Sequence, residues 1–224
     1  KGTANMKLSL AALLGSLALA PVQGLLRGQG QRVLSDYTEE HYDYKQFVHI
    51  DFEDLKAGTI LGKHPHSSYK GIEFSSKPIT FRAMIFDSDM PTGEDWDLKD
   101  VNKKDGLGKM LIYSEDGNQN NPDDNAHGGT LTLTFKEPVT LESIGVKDNE
   151  ESVSITLYQD SHTYTSIYAP IGADGSFSLV WLKLIPNVKY MEITCKGSCA
   201  IPFINYLKNP PPPKECPPPP TPSV

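Results

Sequence analysis

Apolar and polar positions alternate along most of residues 46–208, in short runs rather than long ones. In Phe47-Val-His-Ile-Asp-Phe-Glu53, Val48, Ile50 and Phe52 share one face, and Phe47, His49, Asp51 and Glu53 share the other. Thr130-Leu-Thr-Leu-Thr-Phe135 is the clearest run, with Leu131, Leu133 and Phe135 opposite a column of threonines. Further short runs at 71–75, 109–114, 141–146, 153–158, 176–181, 190–194 and 200–207 also read as strands. In 176–181, Phe177, Leu179 and Trp181 fall on one face, which is read as facing the core. Threonine and β-branched residues are frequent in these runs, and Gly, Asn, Asp and Pro separate them. That combination predicts an antiparallel β-sandwich. No segment keeps a helical period over three turns, and there is neither a glycine-rich nucleotide loop nor a βαβ alternation.

The two ends break the pattern. Met6 and Lys7 precede an apolar run, Leu8 to Ala20, of signal-peptide length and too short to span a bilayer. Val22 and Gly24 stand at the small-residue positions of a cleavage site after Gly24. The chain is therefore expected to be secreted, extracellular or at a cell surface, where disulfides persist. Residues 1–5 precede Met6 and read as upstream sequence, and 25–45 as a polar linker. Residues 46–208 are enough for one domain with its own core. Residues 209–224 hold Pro210–Pro213 and Pro217–Pro220, which favour a polyproline II stalk. No second apolar stretch is long enough for a membrane span.

Charge and cysteine count narrow the partners. The formal charge is −7, and removing residues 1–24, which carry two lysines and no acids, takes it to −9. Such a chain has no electrostatic reason to bind nucleic acid. Of the three cysteines, Cys195 and Cys199 bracket Lys-Gly-Ser and are expected to close a small disulfide loop. The alternative is two reduced cysteines in a strand–turn. Cys216, in the proline tail, is left over to pair with a partner cysteine beyond this sequence or, as an intermolecular disulfide, with another chain.

The acids are unevenly spread. Asp87, Asp89, Glu94, Asp95 and Asp97 crowd around a Pro-Thr-Gly turn, and Asn121-Pro-Asp-Asp-Asn-Ala-His-Gly-Gly129 is a second acidic loop. Carboxylates this dense repel one another unless a cation or solvent separates them, and calcium takes six to eight oxygens from such loops. The spacing is not that of an EF-hand. Trp96 sits among these acids, where core packing is hard to arrange. It is the leading candidate for stacking on a sugar, with Tyr113, Asp123 and Asp124 as further ligand-binding candidates and Tyr164 and Tyr168 beside them. The alternative for Trp96 is an indole tucked onto the sandwich edge. Catalytic signatures are weak. There is no Gly-x-Ser-x-Gly and no His-Glu-x-x-His, Ser161-His162 stands alone, and no carboxylate pair is singled out for glycoside hydrolysis.

Ile50-Asp-Phe-Glu-Asp-Leu-Lys-Ala-Gly-Thr-Ile-Leu61, Tyr69-Lys-Gly-Ile-Glu-Phe74, the run Ile85–Leu98, Pro122–Phe135 and Gly197–Leu207 together resemble secreted jelly-roll β-sandwich modules. Such modules occur on exported bacterial proteins with PEP-CTERM sorting tails and on algal surface proteins, and they are related in pattern to calcium-containing carbohydrate-binding modules. The resemblance covers about 48–207. It implies a structural calcium held by an acid of the first strand, Asp51 or Glu53, and by Asn205 at the last-strand position. Asp95 and Asp97 of the crowded loop complete the expected metal set. The expectation is an all-β antiparallel jelly-roll β-sandwich, secreted and non-catalytic, holding calcium and binding a glycan or cell-wall polysaccharide. The rival classes are a polysaccharide hydrolase on the same scaffold and a purely structural wall protein.

Overall fold

A computed structural model of the chain describes residues 46–77, 82–100 and 106–209. The expected signal peptide, linker and proline stalk, with Cys216, lie outside the described residues. In chain order the strands are β1 (Phe47–Ile50), β2 (Ser68–Tyr69), β3 (Ile72–Lys77), β4 (Arg82–Asp87), β5 (Lys109–Ser114), β6 (Gly129–Lys147), β7 (Val153–Tyr158), β8 (Tyr164–Tyr168), β9 (Phe177–Cys195), β10 (Ala200–Ile201) and β11 (Ile204–Lys208). Every pairing between them is antiparallel. Among the described residues no helix is long and apolar enough to cross a membrane.

Two 19-residue strands, β6 and β9, organise the fold. They pair from Gly129↔Cys195 to Lys147↔Phe177, with register shifts between Thr134 and Ser143. The reason is in the sequence. Pro138 and Pro186 remove ladder donors at the bend, and Lys183, Leu184 and Asn187 take positive φ there. Bulged residues bend a strand and increase its twist, so one ribbon serves two layers. In the first layer its Gly129 end pairs with β3 on one side and β7 on the other, and β8 follows at the edge. In the second layer its Lys147 end pairs with β11, which carries β1, and with β10, which leads to β5 and β4.

The inward residues of both layers form one core. Leu131, Leu133, Ile155 and Ile193 come from the first layer, and Leu141, Ile144, Leu182 and Ile204 from the second. The result is an all-β antiparallel jelly-roll sandwich. β4 and β5 are buried on both faces: Ile85 and Leu111 join the main core, while Met84, Phe86 and Met110 form a second cluster with Leu98 and Leu107. Strands buried on both faces read as continuous apolar runs rather than alternating ones. Neither strand shows alternation; β5 is legible only as an apolar run between turn residues, and Ala83-Met-Ile-Phe86 has no such boundary.

One expected core residue is corrected. In β9, Val180 and Leu182 point inward, and Trp181 points out with 60% of its surface exposed. Apolar residues occupy both faces of that segment, so alternation alone did not say which face the core would take.

Candidate metal centre

Five connections meet at one end of the sandwich, formed by residues 88–100 with 106–108, 115–128, 148–152, 169–176 and 196–199. The first two are tied by Thr92 Oγ1 donating to the Pro122 carbonyl at 2.6 Å and by the Gly93 N–H donating to Asn121 Oδ1 at 3.1 Å. Glycine is required at 93: its φ is +67°, and a Cβ there would lie 2.5 Å from Asp123 Cγ. Leu98, buried in the second cluster, anchors the same loop from below. The third and fourth connections are joined through Asp148. Its N–H donates to the Ser176 carbonyl at 2.7 Å, and its Oδ1 accepts the Gly175 N–H at 2.7 Å.

Two carboxylate triads result, Asp95–Asp123–Asp124 and Asp97–Asp148–Asp174, and within each the oxygens lie within 4.8 Å of one another. Ser198 links them. Its Oγ is 2.6 Å from Asp124 Oδ2 and 2.6 Å from Asp148 Oδ2. A hydroxyl carries one hydrogen, so it can donate to only one of these oxygens. The other contact needs a protonated carboxyl or a cation close by. The Cys199 N–H also donates to Asp124 Oδ2, at 3.0 Å.

The electrostatics follow from packing. Burial, reinforced by Asp124, pushes Asp95 up to about 9. Burial takes Asp124 to about 6, against the hydrogen bonds from Ser198 and Cys199. The hydrogen bond with Asp148, then burial, raises Glu150 to about 7. Asp97 is raised by burial and by Asp148, and Asp123 by burial and by Glu115. Burial works to raise Asp148 as well, but hydrogen bonds from Glu150, Ser198 and the Gly175 N–H outweigh it and hold this carboxyl below its ordinary value. The fully buried carboxyl of Asp148 is thus the best solvated by protein donors, and its neighbours carry the repulsion.

The Cys195–Cys199 disulfide is present, and it closes the short loop that carries Ser198. On a chain-entropy argument, a loop this small contributes about 2 kcal/mol. The Cys195→Ser/Cys199→Ser double variant should lose about that much in denaturant unfolding, with the acidic end affected first. Full stability in the double variant would show that the loop is held without the bridge.

The structure sorts the residues singled out from sequence. Asp95, Asp97, Asp123 and Asp124 all lie in the triads. Asp51 instead faces Lys70 Nζ at 3.6 Å, and Glu53 Oε1 accepts the Lys109 N–H at 2.6 Å. Asn205 bonds Ser143 Oγ at 3.0 Å and His49 Nδ1 at 2.7 Å. These three are outside both triads. Tyr113 is corrected as a ligand candidate. It is 2% exposed, and its ring lies where a Cβ on Gly129 would be, 2.1 Å from Cε1. Trp96 is 64% exposed, with Lys99 Nζ 5.6 Å from its ring centroid. Asp148, Asp174 and Ser198 were not foreseen. The available signal was acid-rich turns after successive strands, which an antiparallel fold returns to one end.

No protein-family model and no curated protein matches the chain. Among solved structures it is similar to a fucose binding module of Streptococcus pneumoniae, at 12% identity over 69% of this chain and 100% of that one, with a TM-score of 0.35. A mutant of a carbohydrate binding module family 29 aligns at 10% identity over 72% of this chain and 93% of that one, with a TM-score of 0.34. An F5/8 type C domain from Bacteroides fragilis aligns at 18% identity over 38% of this chain and 69% of that one, with a TM-score of 0.28.

Proposed function

We propose that this chain is a secreted, non-catalytic glycan-binding module whose loop end is tied together by calcium. One observation carries the reading: two aspartate triads from separate loops meet at Ser198, and the exposed Trp96 rides between a member of each. The donor set is oxygen only, carboxylates with a serine hydroxyl beside them. Such hard donors suit calcium or magnesium rather than zinc or copper. Calcium tolerates irregular loop geometry, whereas magnesium demands a near-ideal octahedron. Asp95, Asp123 and Asp124 would hold one ion, and Asp97, Asp148 and Asp174 are placed to hold another. The ion supplies positive charge that relieves the crowding.

With those loops fixed, Trp96 is held without an ordering cost at the moment of binding, which is how a rigid platform gains affinity. A sugar's C–H face stacks on the indole, and loop carboxylates and amides accept its hydroxyls. A hydrolase needs two carboxyl groups facing substrate across a cleft. Here Asp124 and Asp148 are buried and spoken for by Ser198, the Cys199 N–H and the Gly175 N–H. The Ser161–His162 pair is a local turn, with Asp160 capping the N–H groups of His162 and Thr163 rather than backing the imidazole.

The test is a glycan array probed with the calcium-loaded chain, with and without chelator, beside Trp96→Ala. Binding should disappear in both cases, while Trp96→Ala keeps its stability within about 0.5 kcal/mol, as an exposed substitution does. Failure of the parent chain to bind any glycan, or undiminished binding by Trp96→Ala, contradicts the reading.

A further inference from the structure

The bend of the β6–β9 ribbon, at the end away from the triads, carries an open cleft, and strand topology explains it. β6 pairs with β3 as far as Ile72↔Phe135, and with β11 from Val139↔Lys208 onward. Lys136, Glu137 and Pro138 lie between, where β6 has left one neighbour and not yet met the other. The Lys136 N–H donates to the Gly71 carbonyl at 2.9 Å, which ties it to the β2–β3 turn. Across the gap, Tyr206 Oη reaches the Lys70 carbonyl only at 3.5 Å, longer than an ordinary O–H···O bond. The turn and β11 are therefore not drawn together. The opening measures about 570 Å³, within the range of small-ligand sites. At its rim, a Cβ built on Gly71 would meet no atom within 4 Å. Along β6, the run from Gly129 at the acidic end to Phe135 is about 20 Å at strand rise.

The lining is unlike the chain as a whole. The chain has 28 acids against 21 lysines and arginines, yet Lys70, Lys136 and Lys208 line the cleft with one acid, Glu137. Lys70 is occupied by Asp51 and Asp54, at 3.6 and 3.4 Å. Among the described residues, Lys136, Lys208 and Glu137 have no ion-pair partner. Val139 supplies apolar lining, with Phe135 and Tyr206 packed edge to face at 5.5 Å.

Those groups select a ligand. Two unmatched ammonium groups attract an anion. The unmatched carboxylate accepts hydroxyls and repels further negative charge. The apolar lining suits C–H groups. A sugar acid, with one carboxylate and several hydroxyls on a ring, meets all three. A sugar with several sulfates per ring sets some of them against Glu137. A fatty anion brings Glu137 no hydroxyl.

We propose that this cleft binds a uronic-acid unit of an acidic polysaccharide, with Lys136 and Lys208 receiving its carboxylate and Glu137 accepting its hydroxyls. The ligand class rests on the glycan-binding reading above, but the site is separate from Trp96 and both triads. The test is titration calorimetry of the full chain at low ionic strength, with tri-galacturonate, tri-guluronate and a hyaluronan tetrasaccharide. Galactotriose is the neutral control and a sulfated galactotriose the charge control. Each titration is run with calcium and with chelator, below the melting transition of the metal-free chain, because carboxylates also bind calcium. At least one uronate should bind saturably under both conditions, and both controls about tenfold or more weakly. Lys136→Gln/Lys208→Gln should weaken uronate binding about tenfold or more, the loss of charge-assisted contacts. Both lysines are exposed, so its melting temperature should not change. Lys136→Arg/Lys208→Arg should restore binding, and Trp96→Ala should bind like the parent. The proposal is overturned if no uronate binds, if the glutamine pair binds like the parent, or if the sulfated control binds as tightly as the uronates. Uronate binding lost with chelator but kept in the glutamine pair overturns the cleft and leaves the loop-end reading standing. Array binding without any uronate binding does the same. If neither array glycans nor uronates bind, both readings fall.

Discussion

Adding calcium to the chelator-stripped chain should raise its melting temperature by about 5–10 °C at pH 8. An ion bound only by the folded state stabilises by about 2.7 kcal/mol at a hundredfold excess over Kd. For a domain of this size, each kcal/mol moves the melting temperature by about 2–4 °C. The pH dependence is the sharper part. Without the ion, Asp124 sits at about 6, Glu150 at about 7 and Asp95 at about 9. All three are above the ordinary carboxylate range, so folding favours their protonated forms. That contribution is complete below the unfolded value, near 4, and is lost as pH rises through about 6, then 7, then 9. Asp148 is shifted the other way, and its contribution is lost only as pH falls through the acid range. The metal-free chain should therefore melt lower at pH 8 than at pH 5.5. Calcium must displace the same protons, so its stabilising effect should be small at pH 5.5 and larger at pH 8, where Asp124 and Glu150 are already ionised and only Asp95 still holds its proton. Equal shifts at both pH values would show that these carboxyls do not hold the ion.

Leu141→Ala should cost about 2–5 kcal/mol, the range for truncating a buried leucine. Leu141 is fully buried at the bend where β6 passes from one layer to the other. Its cavity has little room to collapse, since residues from both layers meet there. A fold that is stable by about 5–15 kcal/mol in total would lose a large part of that margin. Trp181→Ala removes a larger side chain but from an exposed position, and should stay within about 0.5 kcal/mol. Denaturant midpoints of the two variants check both. If Trp181→Ala proved the costlier, the assignment of inner and outer faces on β9 would be wrong.

The contrast between those two residues also measures what was legible. β7 was readable to the residue because its inward face recurs at period two, and β5 because its apolar run is bounded by turn residues. β6 and β9 each appeared as two strands. Pro138 and Pro186 look like breaks in a linear reading, yet in the fold they sit at the bend of one continuous ribbon. β4 is buried on both faces like β5, which erases alternation, and unlike β5 it has no glycine turns next to it to mark its ends. Trp181 was misplaced because its segment is apolar on both sides, and only pairing with Ser143 on β6 decides which side is core. At the acidic end, Asp95, Asp97, Asp123 and Asp124 stood out by local density. Asp148, Asp174 and Ser198 did not, since each is a single polar residue in its own turn. Their meaning comes from topology, which brings turns far apart in sequence to the same end. The first-strand acids Asp51 and Glu53 and the last-strand Asn205 were assigned by resemblance. In the structure Lys70, the Lys109 N–H, Ser143 and His49 occupy them instead.

The most direct measurement is a calorimetric titration of calcium into the chelator-stripped chain at pH 7, in two buffers of different ionisation enthalpy. The parent should bind saturably, with a heat that differs between buffers because protons leave Asp95 and Glu150 as the ion enters. An Asp124→Asn/Asp148→Asn variant that still folds should lose the binding. Absence of saturable binding at millimolar calcium, or binding that survives in that variant with buffer-independent heat, would contradict a cation centre built from these triads.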